Sequence, residues 1–410
     1  MARPRPVTVK RLAWRDPSVA DIKLPKGTLR LTLGIGSALA RRAGDPADCL
    51  WGLGDRGANL KVDLAIKDYG LDALKPLADI KGLKLLPLPD VGPTLAQLRI
   101  GKERVHLVRT LRLQTPAGIP ISGRAPPAGP TGEMEPTYDL EGRPLDADPG
   151  GADTEGLAAM ADGTFWVSEE YGPSLIKLNS GGGVIERWVP KGSPMTAEAV
   201  GYPVRAILPA IAAQRRINRG FEAVTVSDDQ RYLHIAFQSA LDFGDQVASF
   251  VRIWTLDAAT GAVAGQHLYP FEAPDSFRRD AAAGKISVDD LKICELVALP
   301  GNQLLVLERI SASAKIYRVD LNAPTVGAAH LELATRPALE ALPQQLLANQ
   351  AMLTKTLMFD TDDSDKIATD LEGMALISAH ELILATDNDF GVEGAETRFY
   401  RLRFSQALTA

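Results

Sequence analysis

The chain has 410 residues, of which 45% are hydrophobic and 23% are charged, and its formal net charge is -6. This length supports a large hydrophobic core without disulfide or metal staples. The acidic balance argues against a nucleic-acid partner, because such proteins usually present a basic surface. No run of 18 apolar residues occurs, so we expect no membrane span.

The first predicted elements are a lone strand at residues 7–14 and a weak hairpin at residues 30–57. Period-two alternation of apolar residues indicates strands. Ser37 stands where later hairpins have a glutamate, and Asp55 follows the second strand. Residues 60–150 show no clear pattern, and we allow one further structural unit there. Cys49 and Cys294 lie in apolar runs, which favours buried free thiols.

Four later hairpins share one pattern, in which a glutamate opens the first strand and polar residues close the second. Further strands follow most of them, and a repeat of about four strands is typical of a propeller blade. The hairpins span residues 153–173, 221–238, 294–309 and 371–389, and their glutamates are Glu155, Glu222, Glu295 and Glu372.

The repeat predicts a single all-β domain, a β-propeller of five to six mostly four-stranded blades with short helical insertions. The last unit has only three clear strands, so the N-terminal strand is expected to supply its fourth and remove a free edge. Residues 204–218 and 336–350 resemble amphipathic helices inserted between blades.

Acidic side chains are expected to gather at one mouth of the central channel, because the ends of the hairpin strands pair across each blade. Counting across the turns places Glu155 opposite Glu169, Glu222 opposite Gln238, Glu295 opposite Glu308, and Glu372 opposite Asp387. Carboxylates at close range need a compensating charge. A hard cation such as Ca²⁺ would supply it, and so would the neighbouring Arg56, Arg219 and Arg309. The predicted metal ligands are Glu155, Glu222, Glu295, Glu372, Asp387, Glu308 and Asp55.

Several blocks together resemble the phytase-like family described as having esterase-like activity of phytase. They are "TEGLAAMADGTFWVSEEYGPSL", "NRGFEAVTVSDDQRYLHIAFQSAL", "LLVLER" with "KIYRVDL", and "DLEGMAL" with "ATDNDFG", and "CLWGLGDRG" resembles an earlier block. The resemblance implies a β-propeller, a bacterial protein that is usually exported, and hydrolysis of phosphate esters with calcium as the candidate cofactor. A periplasmic or secreted location follows from it, although the first residues lack an apolar signal core and a cytoplasmic location stays open.

The leading hypothesis is a Ca²⁺-assisted hydrolase of phosphate esters. Arg309, Arg219 or Arg56 would stabilise the charge of the transferred group, and Glu170 or Asp389 would accept a proton from water. One alternative is a propeller lactonase or carboxylic esterase. The other is a non-enzymatic binding propeller with a structural cation. We expect a small-molecule substrate and a monomeric protein.

Overall fold

The computed structural model describes residues 7–129, 134–244 and 247–409. Five mainly antiparallel sheets surround a central channel, and the first strands of successive sheets contact one another in a closed ring. The protein is therefore an all-β, five-bladed propeller, as the repeat predicts. Cys49 and Cys294 are buried free thiols, which confirms that prediction.

Each blade is described from its innermost strand outward. Blade 1 comprises Ala38–Ala40, Cys49–Leu53, Thr94–Ile100 and Val105–Arg112. Blade 2 comprises Thr154–Ala159, Phe165–Glu169, Ser174–Leu178, Val184–Pro190 and Val204–Leu208. Blade 3 comprises Phe221–Val226, Tyr232–Phe237, Phe250–Asp257 and Val263–Pro270. Blade 4 comprises Lys292–Leu299, Gln303–Arg309, Ala314–Asp320 and Lys355–Asp360. Blade 5 comprises Leu371–Ser378, Glu381–Thr386, Phe399–Phe404 and Val7–Leu12.

The N-terminal strand closes the ring. Val7–Leu12 runs antiparallel to Phe399–Phe404, with Val7 opposite Phe404 and Leu12 opposite Phe399. Strands from the two ends of the chain thus share one sheet, and the predicted closure of the last blade is confirmed. Closure of this kind ties the first and last strands together within blade 5.

The predicted sixth unit in residues 60–150 is wrong, because two strands from this region complete blade 1 instead. The helix predicted at residues 204–218 is also wrong. Val204–Leu208 is a fifth strand of blade 2 and pairs in parallel with Val184–Pro190. Its apolar residues form a strand at the edge of the sheet, although their spacing along the sequence indicated a helix.

The helices of the described residues are all short. The α-helices are Val62–Lys67, Ala197–Val200, Arg278–Ala283 and Gln344–Leu347. The 3₁₀ helices are Asp72–Leu77, Ala210–Gln214, Pro274–Ser276, Val288–Asp290, Ala328–Leu331, Leu339–Ala341, Thr361–Asp363 and Asp389–Gly394. Residues 336–350 thus contain two short helices, Leu339–Ala341 and Gln344–Leu347, rather than one amphipathic helix. Among the described residues, no helix is long and apolar enough to span a bilayer.

A second hydrophobic core, which we call the side core, lies outside the blades. It joins the hairpin of Ser18–Leu24 and Gly27–Thr32 to helix Val62–Lys67 and to Phe390. Its buried members include Leu29, Leu31, Leu60, Leu74 and Leu85. Two segments that enter the side core, residues 56–58 and 389–390, also carry charged residues of the predicted site. The side core therefore braces one wall of the channel mouth.

Small residues let the innermost strands approach one another closely. A Cβ atom placed on Gly156 would lie 2.5 Å from the backbone nitrogen of Val224 in the next blade. A Cβ atom on Gly373 would lie 2.9 Å from a side-chain carbon of Leu39. Both distances are shorter than van der Waals contact, so glycine at these two positions permits the packing around the channel.

Candidate active site

One extra residue sits in the first strand of every blade. The register of blade 2 skips from Thr154 to Gly156, that of blade 3 from Phe221 to Ala223, and that of blade 5 from Leu371 to Gly373. In blade 4 the skipped residue is Cys294. In blade 1 Ala38 pairs antiparallel with Leu53, Gly36 forms an isolated parallel bridge to the same residue, and Ser37 lies between them, directly before the strand. The five bulged residues, called here the bulge ring, are Ser37, Glu155, Glu222, Cys294 and Glu372. Bulges of this kind re-aim a side chain and are frequent next to active sites.

The bulges overturn the predicted cross-strand pairs. Glu169 lies opposite Thr154 rather than Glu155, and Phe237 rather than Gln238 ends the register of its hairpin. Thr386 lies opposite Leu371, so Glu372 has no cross-strand partner. Uninterrupted counting from the turn misplaces every pair beyond the extra residue.

A second set of polar residues lies at the end of the second strand of each blade, or just beyond it, at matching register positions. This strand-end ring consists of Asp55, Glu170, Gln238, Arg309 and Asp387. The backbone N–H groups of Glu170 and Asp387 donate to the carbonyls of Asp153 and Asp370, 3.0 Å away in each case. These bonds hold the two acidic residues at equivalent positions of the blade-2 and blade-5 hairpins, on either side of blade 1.

The two rings lie close enough to influence one another's protonation. Burial, followed by the charges of Asp153 and Glu222, raises the pKa of Glu155 and of Glu170 well above the usual glutamate range. Burial and Glu372 likewise raise the pKa of Asp387. The pKa of Glu372 rises to about 8, mainly through burial, although Arg309 opposes the shift. Burial and the charges of neighbouring carboxylates thus act on members of both rings.

The tightest acidic group is formed by Asp55, Asp153 and Glu155, which offer one carboxylate oxygen each within 4.8 Å of one another. Asp153 was absent from the predicted ligands, although it lies two residues before Glu155. Its side chain is 1% exposed, and its Oδ1 accepts a hydrogen bond from the Arg56 backbone N–H at 3.1 Å. Oδ2 is ion-paired to Arg56 at 3.0 Å yet accepts no hydrogen bond.

Arg56 lies against this acidic group and is almost fully buried. Its Nη1 donates to Glu135 at 2.5 Å, to the Tyr171 hydroxyl at 3.1 Å and to Asn218 at 3.2 Å. Its Nε has no hydrogen-bond partner among the described residues. Burial opposes the charge, but the surrounding acids outweigh it and raise the pKa of Arg56 further. Arg56 is thus a buried cation whose Nε–H donates no hydrogen bond to the described residues.

Arg309 has a different setting, because all three of its nitrogens are engaged. Its Nε donates to the Cys294 sulfur at 2.9 Å, Nη1 donates to the Ile310 carbonyl at 3.1 Å, and Nη2 donates to Glu372. Cys294 therefore occupies the bulge-ring position that the hairpin alignment assigned to Glu295. Burial raises the pKa of the Cys294 thiol strongly, so it stays protonated.

Glu295 is one residue out of register with the other glutamates. It occupies the position held by Gly156, Ala223 and Gly373 in the other hairpins. Its carboxylate accepts hydrogen bonds from the backbone of Leu39 at 3.0 Å and of Leu296 at 3.1 Å. Its predicted placement in the acidic ring was wrong, since its oxygens face backbone donors.

Three further predicted site residues lie in other settings. Glu308 is fully buried within blade 4, where it accepts hydrogen bonds from Tyr269 at 2.6 Å and Lys355 at 2.8 Å. It has the opposite parity to the strand-end ring, and its predicted place at the mouth was wrong. Arg219 donates to the Asp289 carbonyl at 2.7 Å, away from the acidic group. Asp389 is exposed, and its backbone N–H donates to Asp387 at 3.0 Å.

Comparison with known proteins adds a family match. The phytase-like family, described as "Esterase-like activity of phytase", matches residues 34–390. An uncharacterized secreted protein of Arthroderma benhamiae is 28% identical over 214 residues, which cover 47% of this chain and 40% of that relative. The match thus spans less than half of the relative's length.

The solved structures found to be similar are much more distant. The PQQ-bound form of aldose sugar dehydrogenase from Streptomyces coelicolor is 13% identical, with 98% of this chain and 99% of that chain covered and a TM-score of 0.38. The Cps50 (Swd1) β-propeller domain of Myceliophteria thermophila is 9% identical, with 87% and 64% covered and a TM-score of 0.29. Neither likeness reaches beyond the fold.

Proposed function

The chain belongs to the phytase-like family of esterase-like propellers, and from this premise we propose that it is a Ca²⁺-assisted hydrolase of phosphate esters. The active site would be the channel mouth that carries the bulge ring and the strand-end ring. The observation that carries the proposal is the group of Asp55, Asp153 and Glu155, which offer one carboxylate oxygen each within 4.8 Å of one another.

The donor set suits a hard divalent cation. All three side chains offer carboxylate oxygens, which Ca²⁺ prefers over nitrogen and sulfur ligands. Asp153 Oδ2 and Asp387 Oδ1 are buried and accept no hydrogen bond, and buried polar atoms without partners are uncommon. Asp55, Asp153 and Glu155 would hold the ion, with Asp387 nearby. When bound, the ion would supply Lewis-acid stabilisation of charge on the substrate.

Arg56 is the arginine best suited to bind the transferred phosphoryl group. Arg309 already donates from all three of its nitrogens, to Cys294, Ile310 and Glu372, and Arg219 donates to a backbone carbonyl. Arg56 keeps a buried Nε without a partner beside the acidic group. A fixed guanidinium stabilises negative charge on phosphoryl oxygens without reorganisation during the reaction.

Glu170 and Asp389 would divide the proton transfers between them. Water oxygen bonds to phosphorus as the ester P–O bond breaks, one water proton passes to Asp389, and the leaving oxygen takes a proton from Glu170. Burial and Asp153 raise the pKa of Glu170 well above its usual range, which keeps a proton available for donation. Asp389 is exposed and would return its proton to solvent. Glu170 is therefore proposed as the acid rather than the base expected from the sequence.

Hydrolysis of carboxylic esters or lactones is the second candidate. The description of the family as esterase-like supports it, and an oxygen-ligated cation would polarise a carbonyl as well as a phosphoryl oxygen. In both reactions the same arginine and carboxyl groups would serve. The two candidates differ in the substrate, which an assay separates directly.

The deciding experiment compares p-nitrophenyl phosphate and phytate with p-nitrophenyl acetate and a γ-lactone, each with Ca²⁺ and with a chelator. We expect Ca²⁺-dependent phosphate release that Asp153→Asn lowers by at least about a hundredfold. Asp162→Asn, at the exposed turn of the same blade-2 hairpin, is the matched control and should retain activity. Cleavage of the acetate or lactone alone would favour the second candidate. A Ca²⁺-dependent rise in Tm without turnover would favour a binding propeller.

Export is proposed on separate grounds. The relative from Arthroderma benhamiae is described as secreted, which supports a periplasmic or secreted location. Calcium is abundant outside cells, so that location would also suit the proposed ion. Localisation of the tagged, full-length protein by cell fractionation tests this directly, and recovery in the cytoplasmic fraction alone would contradict it.

A further inference from the structure

An apolar pocket of about 180 Å³ is lined by Tyr171, whose hydroxyl accepts a hydrogen bond from Arg56 of the proposed site. Six prolines contribute to its wall, namely Pro126, Pro127, Pro149, Pro173, Pro190 and Pro194. Proline has no backbone N–H to donate, and its ring fixes φ. The wall is therefore poor in hydrogen-bond donors and stiff before any ligand binds, and a stiff apolar pocket loses little entropy on binding.

Tyr171 is shared by the pocket and the proposed active site. Its ring lines the pocket and lies 5.5 Å from the guanidinium carbon of Arg56. Its hydroxyl accepts a hydrogen bond from Arg56 at 3.1 Å and donates to the Gly123 carbonyl at 3.0 Å. Glu170, the proposed acid, directly precedes it in the chain. Tyr171 thus contacts both the pocket and Arg56, the arginine proposed to bind the phosphoryl group.

Met134 provides a second connection. It lines the pocket, and the next residue, Glu135, accepts the 2.5 Å hydrogen bond from Arg56. Arg215 also lines the pocket, and its Nε donates a hydrogen bond to the Tyr171 carbonyl at 2.8 Å. Two neighbouring segments of the pocket wall therefore also hold Arg56 in place.

We propose that this pocket binds an apolar aryl or alkyl group of the ester substrate, while the charged group occupies the acidic mouth. The inference rests on the proposed function, since it places the organic half of the same ester. Apart from Arg215, whose Nε already donates to the Tyr171 carbonyl, the proline-rich wall would offer few donors to a polyanion such as phytate. Desolvating its phosphates there would be costly. The preferred substrates are accordingly aromatic or long-chain monoesters rather than polyphosphorylated sugars.

A substrate series tests the specificity. The kcat/KM of naphthyl phosphate and hexyl phosphate is compared with that of glycerol phosphate and phytate, all with Ca²⁺. We expect the apolar esters to be preferred by at least about tenfold, the effect of even one well-buried methylene group. Equal kcat/KM for apolar and polar phosphates would overturn the pocket proposal while leaving phosphate-ester hydrolysis in place.

Two matched variants test the location. Ala199 is an exposed pocket residue on the helix Ala197–Val200, and Ala197 is exposed on the same helix without lining the pocket. Ala199→Trp should fill the pocket and abolish the preference for apolar esters, whereas Ala197→Trp should keep it. Met195→Ala should enlarge the pocket and shift the preference toward bulkier aryl groups. This variant tests the location of the pocket independently if Ala199→Trp does not fold.

Direct binding separates this proposal from the reaction. Isothermal titration with 1-naphthol measures occupancy of the pocket without any hydrolysis. Binding to the wild type and to Ala197→Trp, with at least about a tenfold loss in Ala199→Trp, would support the pocket even if no phosphate ester is cleaved. Absence of binding to the wild type, or equal binding to both variants, would overturn it.

Discussion

The carboxylate of Glu295 in blade 4 accepts a hydrogen bond from the backbone N–H of Leu39 in blade 1, at 3.0 Å. The first strands form a ring in which blade 5 lies between these two blades. The Glu295 side chain therefore spans the interior of the channel, and it is fully buried there. It links non-adjacent blades at a level occupied in blades 2 and 5 by glycine.

Removing this link should destabilise the propeller. Glu295→Ala would leave the buried N–H groups of Leu39 and Leu296 without acceptors, at a cost of about 2 kcal/mol or more. Glu295→Gln keeps one acceptor oxygen and should cost about half as much. Urea unfolding measures both, with the exposed Glu141→Ala as the control. Wild-type stability of Glu295→Ala would show that the link contributes nothing.

Most of the fold followed from patterns that depend only on short-range sequence. Alternation over two strands and a turn identifies the hairpin Phe221–Val226 with Tyr232–Phe237, and the missing fourth strand of the last unit predicts closure by Val7–Leu12. The parallel strand Val204–Leu208 was missed, because its pairing with Val184–Pro190 depends on packing that no local pattern encodes.

The site was predicted less completely than the fold, and the reason is the bulge. One extra residue exchanges the two faces of a strand beyond it. In blade 4 the predicted register was also one residue out, because Glu295 pairs with Leu307 rather than Glu308, and Glu308 lies inside the blade. Cys294 was overlooked because a thiol does not resemble the glutamates at equivalent positions. Asp153 lies before the strand, where periodicity gives no information, and its place in the site depends on contacts with Arg56 and with the backbone of Glu170.

Glu169 and Arg187 form an ion pair inside blade 2, with both side chains fully buried and the charged atoms 3.0 Å apart. Glu169→Ala should destabilise the protein by roughly 3 to 5 kcal/mol, because it leaves the Arg187 charge buried without its partner. Replacing both residues, as Glu169→Leu with Arg187→Met, should restore much of that loss.

The comparison requires unfolding curves for the single and double variants. The matched control is the exposed pair of Lys75 and Asp72, where Asp72→Ala should leave stability nearly unchanged, because exposed ion pairs contribute little. If Glu169→Ala proved no more destabilising than Asp72→Ala, the buried pair would not stabilise the blade as described.

Calcium affinity should depend on Glu155 much more than on the other glutamates of the bulge ring. Glu155 belongs to the group whose oxygens converge within 4.8 Å, whereas Glu372 is already paired with Arg309. Glu155→Gln removes a charged ligand and should weaken Ca²⁺ binding by at least about tenfold. Glu372→Gln should have a smaller effect. Calorimetric titration of the chelator-treated protein with Ca²⁺ measures both affinities. A larger loss of affinity in Glu372→Gln would indicate that the ion binds closer to blade 5.

His234 should make stability depend on pH below neutrality. It is 2% exposed in blade 3, where its Nδ1 lies 3.0 Å from the Thr255 hydroxyl. Burial lowers its pKa from 6.5 to about 4, the neighbouring His267 adds to that shift, and Asp229 opposes it. Between these values the unfolded chain binds a proton that the folded protein does not, so this contribution to stability is complete above pH 6.5 and declines as the pH falls toward 4. The full loss amounts to about 3 kcal/mol.

The difference between wild type and His234→Gln isolates this contribution from that of the carboxyl groups at the mouth. Those groups have raised pKa values, so they favour the folded state at lower pH and oppose the histidine, but they are common to both proteins. Urea unfolding at pH 7 and pH 5 should therefore show a smaller acid-induced loss, or a larger gain, in His234→Gln than in wild type. His380→Gln provides the control, since its ring lies partly exposed near the Phe404 carbonyl rather than within blade 3. An identical pH response in wild type and His234→Gln would show that His234 titrates in the folded protein as it does in the unfolded chain.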